Sequence, residues 1–204
     1  MDTNAIAAQL RCPSGDAGKE TGLRMAEMNQ EANTWALSLL DVEDTDAVLE
    51  IGFGPGTALA EISKHTTGQV AGIELSPAML AMAQERNAEA IRMGKMTLTQ
   101  GDAAQLPYDD DTFDKALCVN VIYFWENPLR CLQEIHRVLK DDGFLVLSFL
   151  GEENWLPGLK ESGLFRAFTA EDAEALLQEA GFTGIGIRKR DMQFGGRIGL
   201  LAMK

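Results

Sequence analysis

The sequence predicts an α/β fold: a mainly parallel sheet covered by helices on both faces. Three observations carry that expectation. Short apolar runs alternate with stretches of helical spacing from Ala47 to Gly181. The first run passes directly into a glycine-rich turn, Gly52-Phe53-Gly54-Pro55-Gly56, and then a helical pattern. The last two apolar runs are joined by a connection too short for a crossover, so they pair antiparallel.

In chain order, residues 1–21 are polar and contain Pro13, Gly15 and Gly18, and read as a loop or arm. From Leu23 to Leu40 the apolar positions Met28, Ala32, Trp35 and Leu39 recur at helical spacing, which predicts one helix ahead of the sheet. Asp41–Asp46 is an acidic connector. The first strand is expected at Ala47–Ile51 and its helix at Thr57–Lys64. The second strand is expected at Gln69–Glu74, followed by an N-cap at Ser76 with Pro77 in first helical position and a stop at Gly94. Met96–Gln100 reads as a third strand and Thr112–Asn120 as the fourth. Between them lies a loop holding Pro107 and the run Asp109-Asp110-Asp111. Leu129, Leu132, Ile135 and Leu139 form a helical stripe, Asp141-Asp142-Gly143 is a turn signal, and Phe144–Phe149 is a fifth strand. Gly151–Phe168, with Trp155, Pro157 and Phe165, reads as a long loop. Thr169 and Asp172 have the spacing of a capping box before a helix ended by Gly181. Phe182–Arg190 and Arg197–Met203 are the closing strands.

The glycine turn is the first candidate site. Glycines let the backbone bend sharply and approach a ligand closely. A dinucleotide loop requires G-x-G-x-x-G. Here the third glycine comes one residue early, Thr57 holds the sixth place, and Pro55 removes an N–H. Glu50, just before the turn, suits a cationic or amine-bearing ligand better than a pyrophosphate. Glu74 lies 22 residues after Gly52, where a strand-end carboxylate can accept hydrogen bonds from vicinal ribose hydroxyls. That position fits an adenosine-type ligand without choosing among them.

Several further segments extend the pattern. Glu50-Ile51-Gly52-Phe53-Gly54-Pro55-Gly56 resembles the nucleotide loop of class I S-adenosylmethionine-dependent methyltransferases. Gly72-Ile73-Glu74-Leu75-Ser76-Pro77 resembles their acidic second-strand motif. Gly101-Asp102-Ala103, Leu106-Pro107-Tyr108 and Phe113-Asp114 resemble the third- and fourth-strand motifs. Glu134–Lys140 with Gly143 resembles the lead into the fifth strand. The resemblance covers roughly residues 45–204 and is nearest to the small-molecule methyltransferases of ubiquinone and menaquinone biosynthesis. It implies a Rossmann-like three-layer sandwich with a seven-stranded, mainly parallel sheet ending in an antiparallel hairpin. Residues 1–204 then form a single methyltransferase domain, with 1–45 an N-terminal arm and helix that are candidates for a lid.

The resemblance also implies a site. S-adenosyl-L-methionine is the expected cofactor and S-adenosyl-L-homocysteine the product. Glu50, Gly52, Gly54 and Gly56 would form its loop, Glu74 with Leu75 would face the ribose, Asp102 and Ala103 the adenine, and Asn120 and Val121 the methionine part. Candidate acceptor-side residues are Met28, Asn29, Tyr123, Phe124, Trp125 and Trp155, since aromatic walls suit apolar, planar or cationic molecules. Methyl transfer needs alignment more than covalent help from the protein, and no catalytic base stands out. Two alternatives remain: an NAD-type oxidoreductase, and a non-catalytic protein that binds adenosylmethionine.

Composition narrows the partners. Thirty-one acidic residues against 18 basic ones give a net charge of −13, which repels nucleic acid. No Asn-Pro-Pro-Tyr type motif follows the fourth strand, so a base amino group on DNA finds no support as acceptor. No apolar run approaches the ~20 residues of a membrane span, and the first ten residues lack the pattern of a secretory signal. Cys12, Cys118 and Cys131 are few and scattered, which points to a reducing, cytoplasmic compartment and no metal site. No large insertion is present, so a small-molecule acceptor is expected.

Overall fold

The structure is a computed structural model that describes residues 3–155 and 158–204; Met1, Asp2, Leu156 and Pro157 lie outside the described residues. Its centre is a seven-stranded sheet formed by β1 (Val48–Ile51), β2 (Val70–Glu74), β3 (Met96–Gln100), β4 (Phe113–Val119), β5 (Leu139–Leu150), β6 (Thr183–Arg190) and β7 (Arg197–Met203). The spatial order is β3-β2-β1-β4-β5-β7-β6. The first five strands pair parallel and β7 runs antiparallel to both β5 and β6. The chain leaves β1 toward β2 and β3, then returns to place β4 on the other side of β1. That reversal opens a crevice at the carboxyl ends of β1 and β4, the switch point where such sheets bind ligands.

The helices are α1 (Thr3–Arg11), α2 (Gly15–Met28), α3 (Gln30–Leu40), α4 (Thr57–His65), α5 (Pro77–Arg86), α6 (Ala88–Arg92), α7 (Pro128–Val138) and α8 (Ala170–Glu179). Strand periodicity sorts the core into two layers. Leu49, Ile51, Ala116, Cys118, Leu145 and Leu147 face the side covered by α7 and α8. Val48, Leu117, Val119 and Val146 face the side covered by α3, α4 and α5. The Ser76 cap with Pro77 and the Thr169–Asp172 capping box both form.

Four segments depart from the sequence reading. Of the segment 1–21, read as a loop, the described residues 3–21 hold α1 and the first half of α2, with Ala7 fully buried. Gly18 and Gly22 do not break α2; they let it pack closely, since a Cβ at Gly22 would meet Met79 Cε at 2.6 Å. The single helix expected over 23–40 is divided at Asn29, a residue of low helix propensity that ends α2 and starts α3. Its buried face is Ala32, Trp35, Ala36 and Leu40, and Met28 is half exposed. Asp141–Gly143 is not a turn: β5 starts at Leu139, and Asp142 at φ +63° sits in an irregular stretch where the β4–β5 register shifts. Gly94 at φ +71° follows the short α6, which the reading joined to α5.

Trp35 shows how α3 is held. Its ring lies over Gly199 of β7, where a Cβ would meet the ring at 2.9 Å. Trp35 is 7% exposed and belongs to the core. Trp35→Ala is therefore expected to lower stability by about 3–5 kcal/mol, as for other buried large-to-small changes. Urea unfolding followed by circular dichroism measures it; a loss below about 1 kcal/mol would show that α3 is not part of the cooperative core.

Candidate functional site

The crevice at the switch point is a cavity of about 250 Å³. Its floor is the turn after β1. Gly52, Gly54 and Gly56 all have positive φ, at +68°, +52° and +74°, a region closed to most side chains. At Gly52 a Cβ would also stand 2.3 Å from Val121 Cγ1, whereas at Gly54 the space is open. The turn is pinned from α5: Arg86 Nε donates to Pro55 O at 2.9 Å, and Asn87 Nδ2 donates to Gly56 O at 3.2 Å.

Glu74 fixes the other side of the turn. Its Oε2 accepts from Gly54 N–H at 2.9 Å and its Oε1 from Ser76 N–H at 2.8 Å. Burial raises the Glu74 carboxyl above its ordinary pKa, and the backbone N–H groups of Ser76, Gly54 and Leu75 pull it back toward the charged form. A carboxylate has about four acceptor sites, so capacity remains beyond these three donors.

Glu50 lies on β1 in the lining of the cavity and is 4% exposed. Its Oε2 is buried and has no hydrogen-bond partner among the described residues, while the Leu59 backbone N–H favours the charged form of the carboxyl group. Burial, and then the charge of Glu74, push its pKa up to about 8. A buried carboxyl with an unused oxygen beside a second carboxylate is a site for a cation.

The structure brings most of the sequence-selected positions to this cavity. Glu50, Gly52, Gly54, Glu74, Leu75, Asp102, Ala103, Asn120 and Val121 all line it. Gly56 does not; it caps α4 and packs against Ala83 of α5. Asp102 Oδ1 also accepts from Ala104 N–H at 2.9 Å, which shapes the turn after β3. Asn120 takes φ +60°, a conformation asparagine tolerates. Its Oδ1 accepts from Arg197 at 2.9 Å and its Nδ2 donates to Asn29 at 3.0 Å.

On the acceptor side, Asn29, Phe124 and Trp125 line the cavity. Met28 does not, because α2 turns it outward; Met25 takes that place. Tyr123 and Trp155 stand behind, in a ring cluster with Phe124 and Phe165. The sequence named the N-terminal arm as a candidate lid but not the residues that form the roof. Leu10, Arg11 and Pro13 line the cavity from the segment read as a loop. Ser76 Oγ donates to Pro13 O at 2.5 Å, and Arg11 pairs with Glu126 at 2.7 Å. The alanine-rich stretch Ala5–Ala8 was the available signal for α1. Among the described residues, no group of three or more His, Cys, Asp or Glu could hold a metal ion.

Known proteins resemble this chain in sequence and fold. Residues 49–147 match the methyltransferase domain family. The uncharacterized methyltransferase YdaC of Bacillus subtilis (strain 168) is 28% identical over 173 residues, covering 84% of this chain and 91% of its own length. The ubiquinone/menaquinone biosynthesis C-methyltransferase UbiE of Citrifermentans bemidjiense is 29% identical over 55% of this chain, which spans 49% of that relative. Among solved structures, a methyltransferase in complex with the Haloferax volcanii Trm112 methyltransferase activator has a TM-score of 0.80 at 20% identity, covering 92% of this chain and 94% of its own. That likeness speaks for the fold alone. With the family match, the relatives and a seven-stranded sheet whose switch point holds the glycine turn, the chain is a class I S-adenosylmethionine-dependent methyltransferase resembling the ubiquinone/menaquinone-biosynthesis type.

Proposed function

We propose that this methyltransferase acts on a small-molecule acceptor. The observation that carries the donor half of the reading is Glu50: a buried, unpartnered carboxyl oxygen in the cavity wall fits the ammonium of adenosylmethionine. Glu74, with acceptor capacity left beyond its backbone donors, would hold the ribose hydroxyls, with Leu75 beside it. Asp102 and the Ala103 N–H would meet the adenine, Asn120 and Val121 the methionine part, and the Gly52 and Gly54 backbone would lie against the ligand.

Bound adenosylmethionine supplies an activated methyl: the acceptor's lone pair forms the new bond to carbon, and the carbon–sulfur pair stays on sulfur to give adenosylhomocysteine. The protein's part is alignment of the two partners and exclusion of water. Support for a small acceptor comes from the aromatic residues 123–125 at the end of β4 and from the lack of a large insertion. The net charge of −13 weighs against nucleic acid. The three free cysteines are the basis for proposing a cytoplasmic location. No helix of the described residues is long and apolar enough to cross a membrane.

The N-terminal segment would serve as a lid. Its α1–α2 part touches the cavity through Leu10, Arg11, Pro13 and Met25, while α3 is anchored by Trp35. Lids of this kind gate access and close out water.

Two measurements test these readings. Protein incubated with methyl-labelled adenosylmethionine and cell extract, then split by ultrafiltration, should place the label in the small-molecule fraction as a product one methyl heavier. Glu74→Ala should slow that labelling by about 10- to 100-fold at low cofactor, as loss of a charged hydrogen bond of roughly 1.5–3 kcal/mol implies. Label confined to protein or nucleic acid would contradict a small acceptor. Hydrogen exchange tests the lid: α1 and α2 should gain protection when adenosylhomocysteine is added, while α3 stays protected in both states. Equal protection of α1 and α2 with and without ligand would make them plain scaffold.

A further inference from the structure

A second cavity, of about 360 Å³, adjoins the first. The two share Arg11, Phe124, Trp125 and Glu126 as a common wall. The far wall of the second cavity comes from Tyr123 and from residues 163–166 of the loop after β5. Tyr123 and Phe165 stack there with centroids 5.5 Å apart, and Phe124 meets Phe165 edge-on at 4.8 Å. The loop is tied to this cluster by the Arg166 N–H, which donates to Tyr123 O at 3.1 Å.

The charges of the cavity do not balance. Arg11 and Glu126 neutralise each other at 2.7 Å. Glu126 is the one carboxylate among the described lining residues, so no free negative charge is left. Arg166 lies on the far wall, is exposed, and has no ion pair among the described residues. Behind Tyr123 stands a second guanidinium, Arg197, 5% exposed, which donates to Asn120 and whose charge acts on the Tyr123 hydroxyl and on Glu31. In a chain of net charge −13, Arg166 is thus the unbalanced positive charge at this aromatic surface.

We infer that the second cavity binds the methyl acceptor and that the acceptor is a flat aromatic carboxylate, its ring against the partly exposed faces of Phe124, Trp125 and Phe165 and its carboxylate on Arg166. The inference rests on the reading of the first cavity as the methyl-donor site. Aromatic walls alone would also suit a cation. Here a cation would find Glu126 already paired and Arg166 repelling it. A carboxylate on Arg166 gains a charge-assisted, bidentate contact. Anchored on the unshared wall, the acceptor directs its opposite end toward the wall common to both cavities, where the donor would stand.

The test uses three probes with one ring and one chain length: phenylacetate, phenylacetamide and phenethylamine. Each is titrated into the full protein with adenosylhomocysteine present, following the fluorescence of Trp125 and Trp155 and the heat of binding. Phenylacetate should bind at least tenfold tighter than the amide or the amine. Arg166→Gln should abolish that preference and leave adenosylhomocysteine affinity unchanged. The inference is overturned if the amide or amine binds as tightly as the acid, if none of the three binds, or if Arg166→Gln retains the preference. In each of those cases normal adenosylhomocysteine binding leaves the methyltransferase reading standing. Failure of adenosylhomocysteine itself to bind removes that reading, and the acceptor inference with it.

Discussion

The site is built around one carboxylate. Glu74 ends β2 and accepts from two backbone N–H groups on separate elements, Gly54 of the glycine turn and Ser76 at the start of α5. The first bond ties the turn to the second strand. The second orients Ser76, whose hydroxyl caps α5 by accepting from Met79 N–H at 3.2 Å and holds the roof by donating to Pro13 O. Floor, side wall and roof of the crevice thus meet at one buried acid. A charged hydrogen bond in such a place is worth more than one in water and is costly to leave unmade.

Glu50 is the counterpart that the fold leaves incomplete. It stands on β1, between β2 and β4, and its Oε2 finds no donor among the described residues. The linkage follows from its raised pKa. Below about 4.5 the carboxyl is neutral in folded and unfolded chains alike, and its burial costs no ionisation. As pH rises toward 8 the unfolded chain releases the proton while the folded chain keeps it, so this group's contribution to stability falls across that window. A bound cation reverses the balance by favouring the ionised form. Glu74 adds to the effect, because two carboxylates in one cavity resist ionising together.

Much of this was legible in the sequence because the signals are local. The positive φ at Gly52, Gly54 and Gly56 is what three alternating glycines allow, and burial of both faces of β1 and of the end of β4 follows from their apolar runs. Ser76-Pro77 and Thr169 with Asp172 state their caps outright. Several of the misreadings turn on contacts distant in sequence. Gly22 belongs to a helix because α2 packs closely on Met79 of α5 there. Asp141–Gly143 looks like a turn until Phe113 pairs with Leu139 and carries β5 through it. Met28 fits the helical stripe, but the break at Asn29 rotates α2 relative to α3 and leaves Met28 outside. The ion pair between Arg11 and Glu126 spans 115 positions and has no local signature.

The central claim is that the crevice is preformed for a cation at Glu50. Carbon-13 NMR of protein labelled at the glutamate carboxyl carbons, with Glu50→Gln used to assign the signal, reads this directly. The account predicts that Glu50 titrates near pH 8 in the free protein and is ionised throughout the neutral range once adenosylhomocysteine is bound. A midpoint near the ordinary glutamate value in the free protein, unchanged by the ligand, would contradict it.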